Sequence, residues 1–296
     1  MSDSNDGDPR PRSLTSIVIP AKNEAPGLRT LLPALRENYA DAEIIVVNDG
    51  STDETPDVCL ENGVRVISHP YSLGNGAAIK TGARHATGDR IVFMDADCQH
   101  AVSDIGRLLE RYDEGYGMVV GARVGNSQAS IGRSLANRIY NWLASQMVGQ
   151  NIQDLTSGFR VANADKFREF LPLLPNGFSY PTTSTMAFFR SGYGVAYVPI
   201  HAAKRQGKSH IRPLRDGTRF FLIIFRVATL YSPLKVFAPI SAALFCLGLF
   251  HYAYVYFVRH QFSNMTALLF TTAVLVFLMG LISEQITALT YTQHRR

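Results

Sequence analysis

RIVFMDADCQH, residues 90–100, is the stretch whose reading decides the fold. Arg90 to Met94 is a short run of β-branched and aromatic residues, which predicts a buried strand. Asp95, Asp97, Gln99 and His100 follow directly where that strand ends. Two carboxylates two residues apart, leaving a strand, can hold a divalent ion, and oxygen ligands suit Mg²⁺ or Mn²⁺. Asp95, Asp97 and Gln99 are therefore the first candidate ligands.

Outward from this strand the pattern repeats. Ser16–Pro20, Glu43–Val47, Val64–Ile67 and Met118–Gly121 read as further strands, and residues 28–38, 52–62, 76–86 and 103–114 as helices between them. A βαβα order predicts an α/β domain with a mainly parallel sheet covered on both faces. Such sheets bind ligands beyond the carboxyl ends of their strands, so the residues just after each strand become candidates. After the first strand come Pro20, Ala21, Asn23 and Glu24. After the second come Asp49, Gly50 and Ser51. Ser51 and Glu54 have the S-x-x-E spacing of a capping box, and Asp53 reads as a helix-start acid or a ligand. GNGAAIKT (74–81) has the outline of a phosphate loop but carries Ile79 where glycine is required. It is expected to be a glycine-rich turn opening a helix, with Lys80 near a phosphate. No H-E-x-x-H or G-x-S-x-G occurs, which removes zinc-peptidase and serine-hydrolase readings.

The chain has 296 residues, 46% hydrophobic and 18% charged, enough for a large core and unlike a disordered chain. Mean hydropathy is +0.01, high for a wholly soluble enzyme. The net charge of +5 is concentrated: residues 200–235 carry a local +7 and the rest about −2. A single basic block before an apolar stretch points to anionic lipid head groups rather than to nucleic acid. Cys59, Cys98 and Cys246 form no C-x-x-C, so neither a disulfide framework nor a zinc site is indicated and a reducing face is expected. Residues 1–14 read as a polar tail. Val236–Val258 has no charged residue and as a helix would run ~35 Å, enough for a hydrocarbon core of ~30 Å. A second span is expected at 265–289. The two form a hairpin over residues 233–296, preceded by an amphipathic interfacial segment at 212–232. The basic residues Arg219, Arg226, Lys235, Arg295 and Arg296 place both chain ends on the cytoplasmic side. Glu284, near the end of the second span, either reaches the interface or pairs with a basic group. Trp142 is expected in the core.

In order along residues 15–211, SIVIPAKNE, IIVVNDGSTDET, GNGAAIKTGARHATGD, IVFMDADCQH, VVGAR, DLTSGFR and KRQGKSH resemble the family 2 glycosyltransferases of GT-A fold. The chain is most similar to the polyprenyl-phosphate glycosyltransferases, including the dolichol-phosphate mannosyltransferase group. The resemblance implies a Rossmann-like GT-A domain over 15–211 that moves one sugar from a UDP- or GDP-sugar to undecaprenyl or dolichyl phosphate at the membrane, with Mg²⁺ or Mn²⁺. It implies a nucleotide-sugar site at Pro20, Ala21, Asn23, Glu24, Asp49, Gly50, Ser51, Lys80, Asp95, Ala96, Asp97 and Gln99, with Asp49 accepting from the base. Asp97, Gln99 and Asp95 would ligate the metal. Arg123, Arg133, Arg205 and Ser209 would meet the acceptor phosphate, and Asp154–Arg160 would shape the sugar and acceptor side. His210 stands where the family often has lysine. Arg160 reads equally as a structural ion-pair partner.

The phosphate acceptor is already largely anionic at pH 7, with a second pKa of ~6, so no strong base is required. In-line displacement predicts inversion at the anomeric carbon. Two alternatives stay open: a transferase with a hydroxyl acceptor on a glycolipid or lipid-linked glycan, for which Asp154 would be the base, and an inactive membrane-anchored nucleotide-sugar-binding or scaffold protein. A processive synthase would carry Q-x-x-R-W, which this chain lacks. Homo-oligomerisation is left open.

Overall fold

The computed structural model describes residues 14–124, 131–177, 179–201, 229, 232–260 and 263–293, with backbone alone at 131–137, 259 and 290–293. The chain divides into two compact units, residues 1–141 with 152–209, and residues 142–151 with 210–296.

The first unit is built on a seven-stranded sheet. Its strands are β1 (Thr15–Ala21), β2 (Glu43–Asn48), β3 (Arg65–Ser68), β4 (Arg90–Phe93), β5 (Met118–Arg123), β6 (Arg160–Asn163) and β7 (Val195–Ile200), in spatial order β3-β2-β1-β4-β6-β5-β7. Helices α1 (Ala25–Asn38), α2 (Thr55–Glu61), α3 (Asn75–His85), α4 (Ser103–Asp113), α6 (Ala164–Glu169) and α7 (Tyr180–Arg190) connect them, with α5 (Ile131–Val148) running from β5 into the second unit. All pairings are parallel except those of β6, which runs antiparallel between β4 and β5. The sheet is thus mainly parallel, as expected, and the five expected strands and four expected helices form within a few residues of their expected bounds. The strands β6 and β7 lie outside those expectations.

Alternation of side chains gives the sheet two buried faces. On one, Ile17, Ile19, Val46, Val92, Val119, Phe159 and Val161 pack with Leu28, Leu32 and Leu35 of α1 and Ile105 and Leu108 of α4. On the other, Phe93 meets Phe167 of α6 with ring centroids 4.5 Å apart. A strand run buried on both faces must be apolar throughout, which is why the IIVV and SIVI runs are legible.

Topology places the site. The chain builds β1, β2 and β3 outward in one direction, then returns to lay β4 on the other side of β1. This is a switch point, where a crevice opens beyond the strand ends. Ala21 is level with Asn48, and Met94 N–H reaches the Val18 carbonyl, so the segments after β1, β2 and β4 leave the sheet at one edge. Because β6 is antiparallel, its first residue, Arg160, sits opposite Phe93 and Val120. The DLTSGFR segment therefore enters the sheet at the edge where β4 and β5 leave it.

In the second unit, α8 (Pro233–Arg259) and α9 (Asn264–Gln293) form an antiparallel hairpin. Both are long and apolar enough to cross a membrane, over Pro233–Val258 and Asn264–Leu289, and only 17% of each window is buried. Phe250, Phe257, Leu268, Met279, Ile282 and Leu289 face outward, the inverse of a water-soluble bundle. Polar groups inside are paired: Ser241 Oγ donates to the Ala273 carbonyl at 2.7 Å, and His251 Nδ1 lies 2.9 Å from Thr266 Oγ1. Glu284, undecided from sequence, accepts a hydrogen bond from Leu234 N–H at the start of α8, at 3.2 Å. The interfacial segment expected at 212–232 lies outside the described residues except at 229 and 232.

Candidate active site

The first loops of the sheet are tied to each other. Asn23, in the left-handed conformation at φ 56°, receives Thr52 N–H on Oδ1 at 2.8 Å and donates its own N–H to Ser51 Oγ at 2.9 Å. The Ser51–Glu54 capping box does not form. Ser51 is engaged by Asn23, Glu54 pairs with Arg29, and Asp53 accepts from Ala25 N–H at 3.2 Å and Thr55 N–H at 3.1 Å. A carboxylate at two helix starts is favoured by both backbone donors and both dipoles, so Asp53 is a helix-start acid.

Asp49 is 4% exposed and its acceptor positions are filled by protein. Oδ1 receives His69 Nδ1 and Leu73 N–H, each at 2.8 Å; Oδ2 receives Ser72 Oγ at 2.7 Å and Gly74 N–H at 2.9 Å. With Nδ1–H donating to Asp49, His69 Nε2 accepts from Thr81 Oγ1 at 2.9 Å. Burial disfavours the charge on Asp49, yet these donors outweigh it and hold the carboxyl below its ordinary pKa. Asp49 thus fastens loop 69–74 to the end of β2. His69 and Ser72, absent from the sequence reading, are its partners; nothing local marked them.

Lys80 is likewise tied to a distant segment. Its amine donates to the Leu174 carbonyl at 3.1 Å and to Asn176 Oδ1, nearly a hundred residues away. The glycines beside it serve the same junction: a Cβ on Gly76 would lie 2.1 Å from the Pro175 carbonyl oxygen.

The D-x-D turn is held close against α1. A Cβ on Gly27 would come 2.3 Å from the Ala96 carbonyl oxygen, and Cys98 Sγ lies 3.3 Å from the Gly27 carbonyl. Asp97 Oδ1 accepts from Gln99 N–H at 3.2 Å across Cys98, which is left-handed at φ 55°. Asp95, Asp97 and Gln99 are half-buried. Two carboxylates and an amide oxygen are a hard donor set that fits Mg²⁺ or Mn²⁺. Among the described residues no cluster of three His, Cys, Asp or Glu could hold a metal. His100 is buried, stacks on Phe159 at 4.8 Å, and leaves Nδ1 without a hydrogen-bond partner among the described residues. Burial keeps its pKa low.

Arg123, at the end of β5, meets Asp154 in a bidentate pair, Nε–Oδ2 2.8 Å and Nη2–Oδ1 3.0 Å, and its Nη2 also donates to Thr156 Oγ1 at 2.6 Å. Asp154 Oδ1 further accepts from Thr156 N–H and Ser157 N–H, each at 3.1 Å. Burial opposes ionisation of Asp154, but the Arg123 hydrogen bonds and charge, aided by these backbone donors, bring its pKa below the ordinary value. The Arg123 side chain stays 36% exposed, so part of the cation is reachable from solvent.

Arg160 makes no ion pair among the described residues. Fully buried, it donates through Nη1 to the Pro181 carbonyl at 3.0 Å, Ser184 Oγ at 2.7 Å and Thr185 Oγ1 at 3.1 Å, and through Nη2 to the Ser157 carbonyl. Neutral acceptors in α7 and the DLTSGFR loop stand where the ion-pair reading of Arg160 would have put a carboxylate. The structure thus brings Pro20–Glu24, Asp49–Ser51, Asp95–Gln99, Arg123 and Asp154 to one edge of the sheet. The Arg133 side chain, Arg205 and Ser209 lie outside the described residues.

Residues 16–171, more than half of the chain, match the family described as Glycosyl transferase family 2. The chain belongs to that family. Residues 232–289 of this glycosyltransferase match the GtrB C-terminal hairpin. It is 28% identical to glycosyltransferase AglJ of Haloferax volcanii over 95% of this chain and 96% of the relative. It is 30% identical to the undecaprenyl-phosphate 4-deoxy-4-formamido-L-arabinose transferase of Pseudomonas fluorescens SBW25, covering 81% of this chain and 72% of that one. Among solved structures, glucosyl-3-phosphoglycerate synthase from Mycobacterium tuberculosis, with Mn²⁺, UDP and glucosyl-3-phosphoglycerate, superposes with a TM-score of 0.59 at 21% identity over 73% of this chain and 79% of that one. At that identity the likeness shows a shared GT-A-type fold. The same neighbour has also been solved with Mg²⁺ and UDP.

Proposed function

We propose that this glycosyltransferase moves a single sugar from a UDP- or GDP-hexose to a polyprenyl phosphate, undecaprenyl or dolichyl, at the cytoplasmic face, with both termini on that side. The observation that carries the reading is the Arg123–Asp154 pair at the same sheet edge as the D-x-D turn. It brings a cation and two carboxylates together, as two anionic substrates require. The names of the curated relatives and the apolar hairpin support a lipid-phosphate acceptor.

Asp97, Gln99 and Asp95 would hold Mg²⁺ or Mn²⁺, which when bound neutralises charge on the leaving diphosphate. Pro20, Ala21, Asn23, Glu24, Gly50, Ser51 and Ala96 line the loops that would take the nucleotide-sugar. Asp49 acts by holding loop 69–74 in place beside them, and Lys80 by bracing α3. Arg123 orients the acceptor phosphate, with Arg133, Arg205 and Ser209 as further contacts. A phosphate oxygen attacks the anomeric carbon as the bond to the nucleoside diphosphate breaks, so an α-linked donor gives a β-linked lipid sugar. The attacking phosphate is largely anionic at neutral pH. A hydroxyl acceptor would need a base, and Asp154, saturated by Arg123, Thr156 and Ser157 donors, is a poor one. That favours the phosphate acceptor over the hydroxyl alternative.

The test is a panel of UDP- and GDP-sugars with the full chain, Mg²⁺ or Mn²⁺, and either polyprenyl phosphates or hydroxyl-bearing glycolipids. A β-linked sugar on a polyprenyl phosphate is expected by NMR; transfer to the hydroxyl acceptors alone would overturn the proposal.

A further inference from the structure

Trp142 is the single tryptophan of the chain, and it is not in the core: 60% of it is exposed. It lies on the last part of α5, which falls in the second unit with the apolar hairpin. On that stretch Ala144 and Met147 are buried, while Trp142 and Gln146 point outward. A large indole turned to water is costly unless something covers it, because its apolar body stands to be buried and its N–H can still reach a polar partner.

The same stretch is tied to the start of α8. Lys235 Nζ donates to the carbonyls of Met147 at 2.7 Å and Gln146 at 3.3 Å, the final turn of α5. That helix closes there, with Gly149 at φ 70° donating its N–H to the Ser145 carbonyl at 2.8 Å. A cation on the last carbonyls satisfies acceptors with no intrahelical donor and complements the helix dipole. Lys235 is the third residue of α8, where the apolar window begins at Pro233. Any bilayer that takes α8 from Pro233 has its head-group layer at the level of Lys235. The last turn of α5 is held at that level, and Trp142 stands only four to five residues before it, about 6–8 Å along the helix axis.

We propose that the last two turns of α5 belong to the membrane anchor, with Trp142 seated in the head-group layer of the bilayer that carries the hairpin and Lys235 locking the helix end beside it. This rests on α8 and α9 spanning a bilayer. Lipid is the occupant because the exposed side chain is a tryptophan, the residue type that gathers at membrane–water boundaries, and because the stretch is continuous through Lys235 with the apolar hairpin.

The lone tryptophan makes its own probe. The full chain is reconstituted into phosphatidylcholine–phosphatidylglycerol vesicles, and its emission is read with bromine placed either high on the acyl chain or near its end. Emission should shift to the blue and fall about twofold with the shallow bromine, as for an indole at the interface, with little loss to the deep one. Iodide in the aqueous phase should quench it weakly. Lys235→Met should reduce the shallow quenching by freeing the end of α5. Equal emission in brominated and plain vesicles overturns the proposal. With strong iodide quenching it means the indole is in water, and with iodide protection it means another protein surface covers it. A chain that floats with the vesicles while Trp142 stays unquenched loses this inference alone. A chain that does not float loses the spanning hairpin as well.

Discussion

The Arg123 guanidinium and the Asp154 carboxylate face each other in two parallel hydrogen bonds, 2.8 and 3.0 Å long, although 31 residues separate them. The pair joins the end of β5 to the loop that leads into β6, and so fixes a cation beside the D-x-D turn. Fork-to-fork pairing of this kind fixes direction as well as distance.

Arg123→Ala should cut transfer by about a hundredfold, the scale of losing one charge-stabilising donor, while donor affinity changes little. Steady-state rates with calorimetric binding of the nucleotide check this. An equal loss of donor affinity would place Arg123 on the donor. Arg123→Ala combined with Asp154→Asn should recover stability relative to Arg123→Ala alone, because the single change leaves a buried carboxylate without its partner.

The acid limb of stability follows from the depressed pKa values of Asp154 and Asp49. A carboxyl lowered in the folded state contributes stability that is fully present above its unfolded pKa of ~4 and is lost as pH falls through the lower folded value. Between about pH 5 and 8 these groups should therefore contribute their full stabilisation and add no pH dependence to the melting temperature. Below about pH 4 it should drop. Asp154→Asn and Asp49→Asn should each lower stability at neutral pH and flatten that drop, as thermal melts across the acid range would reveal.

Asp49→Ala should release loop 69–74. Two backbone donors, a serine and a histidine lose their acceptor at once, so destabilisation of about 2 kcal/mol or more is expected. Donor affinity should weaken with it. If Asp49 instead reads the base directly, uridine and guanosine nucleotides would lose affinity with no change in melting temperature.

Asp97→Ala should abolish metal-dependent binding of the nucleoside diphosphate. Titration of Mn²⁺ followed by electron paramagnetic resonance, with and without nucleotide, measures it apart from turnover. Chelation of the wild-type chain should stop transfer and Mg²⁺ or Mn²⁺ should restore it.

Arg160→Lys should fold poorly despite keeping its charge. One ammonium cannot serve the Pro181 carbonyl, Ser184 and Thr185 on one side and the Ser157 carbonyl on the other. A loss of about 2–3 kcal/mol is expected from buried acceptors left without donors, read as a lower melting temperature with a parallel loss of turnover.

The alternation of strands and helices, the acids that leave β2 and β4, and the two apolar runs are all written in the order of the residues. Each is a local pattern, because burial on both sheet faces or in lipid forces a run of apolar residues wherever it occurs. The partnerships arise only once the chain is folded. Antiparallel β6, four residues long, carried no strand signal strong enough to be read, yet its direction delivers Asp154 to Arg123. The intramolecular partners of Asp49 and Lys80, donors from 69–74 and acceptors from 174–176, are likewise unwritten in the linear motif. Arg160 finds hydroxyls and carbonyls rather than the carboxylate of its ion-pair reading, and Trp142 turns outward from a helix whose other side is buried. Contacts between distant segments depend on which faces the whole fold brings together, and no neighbouring residue records that choice.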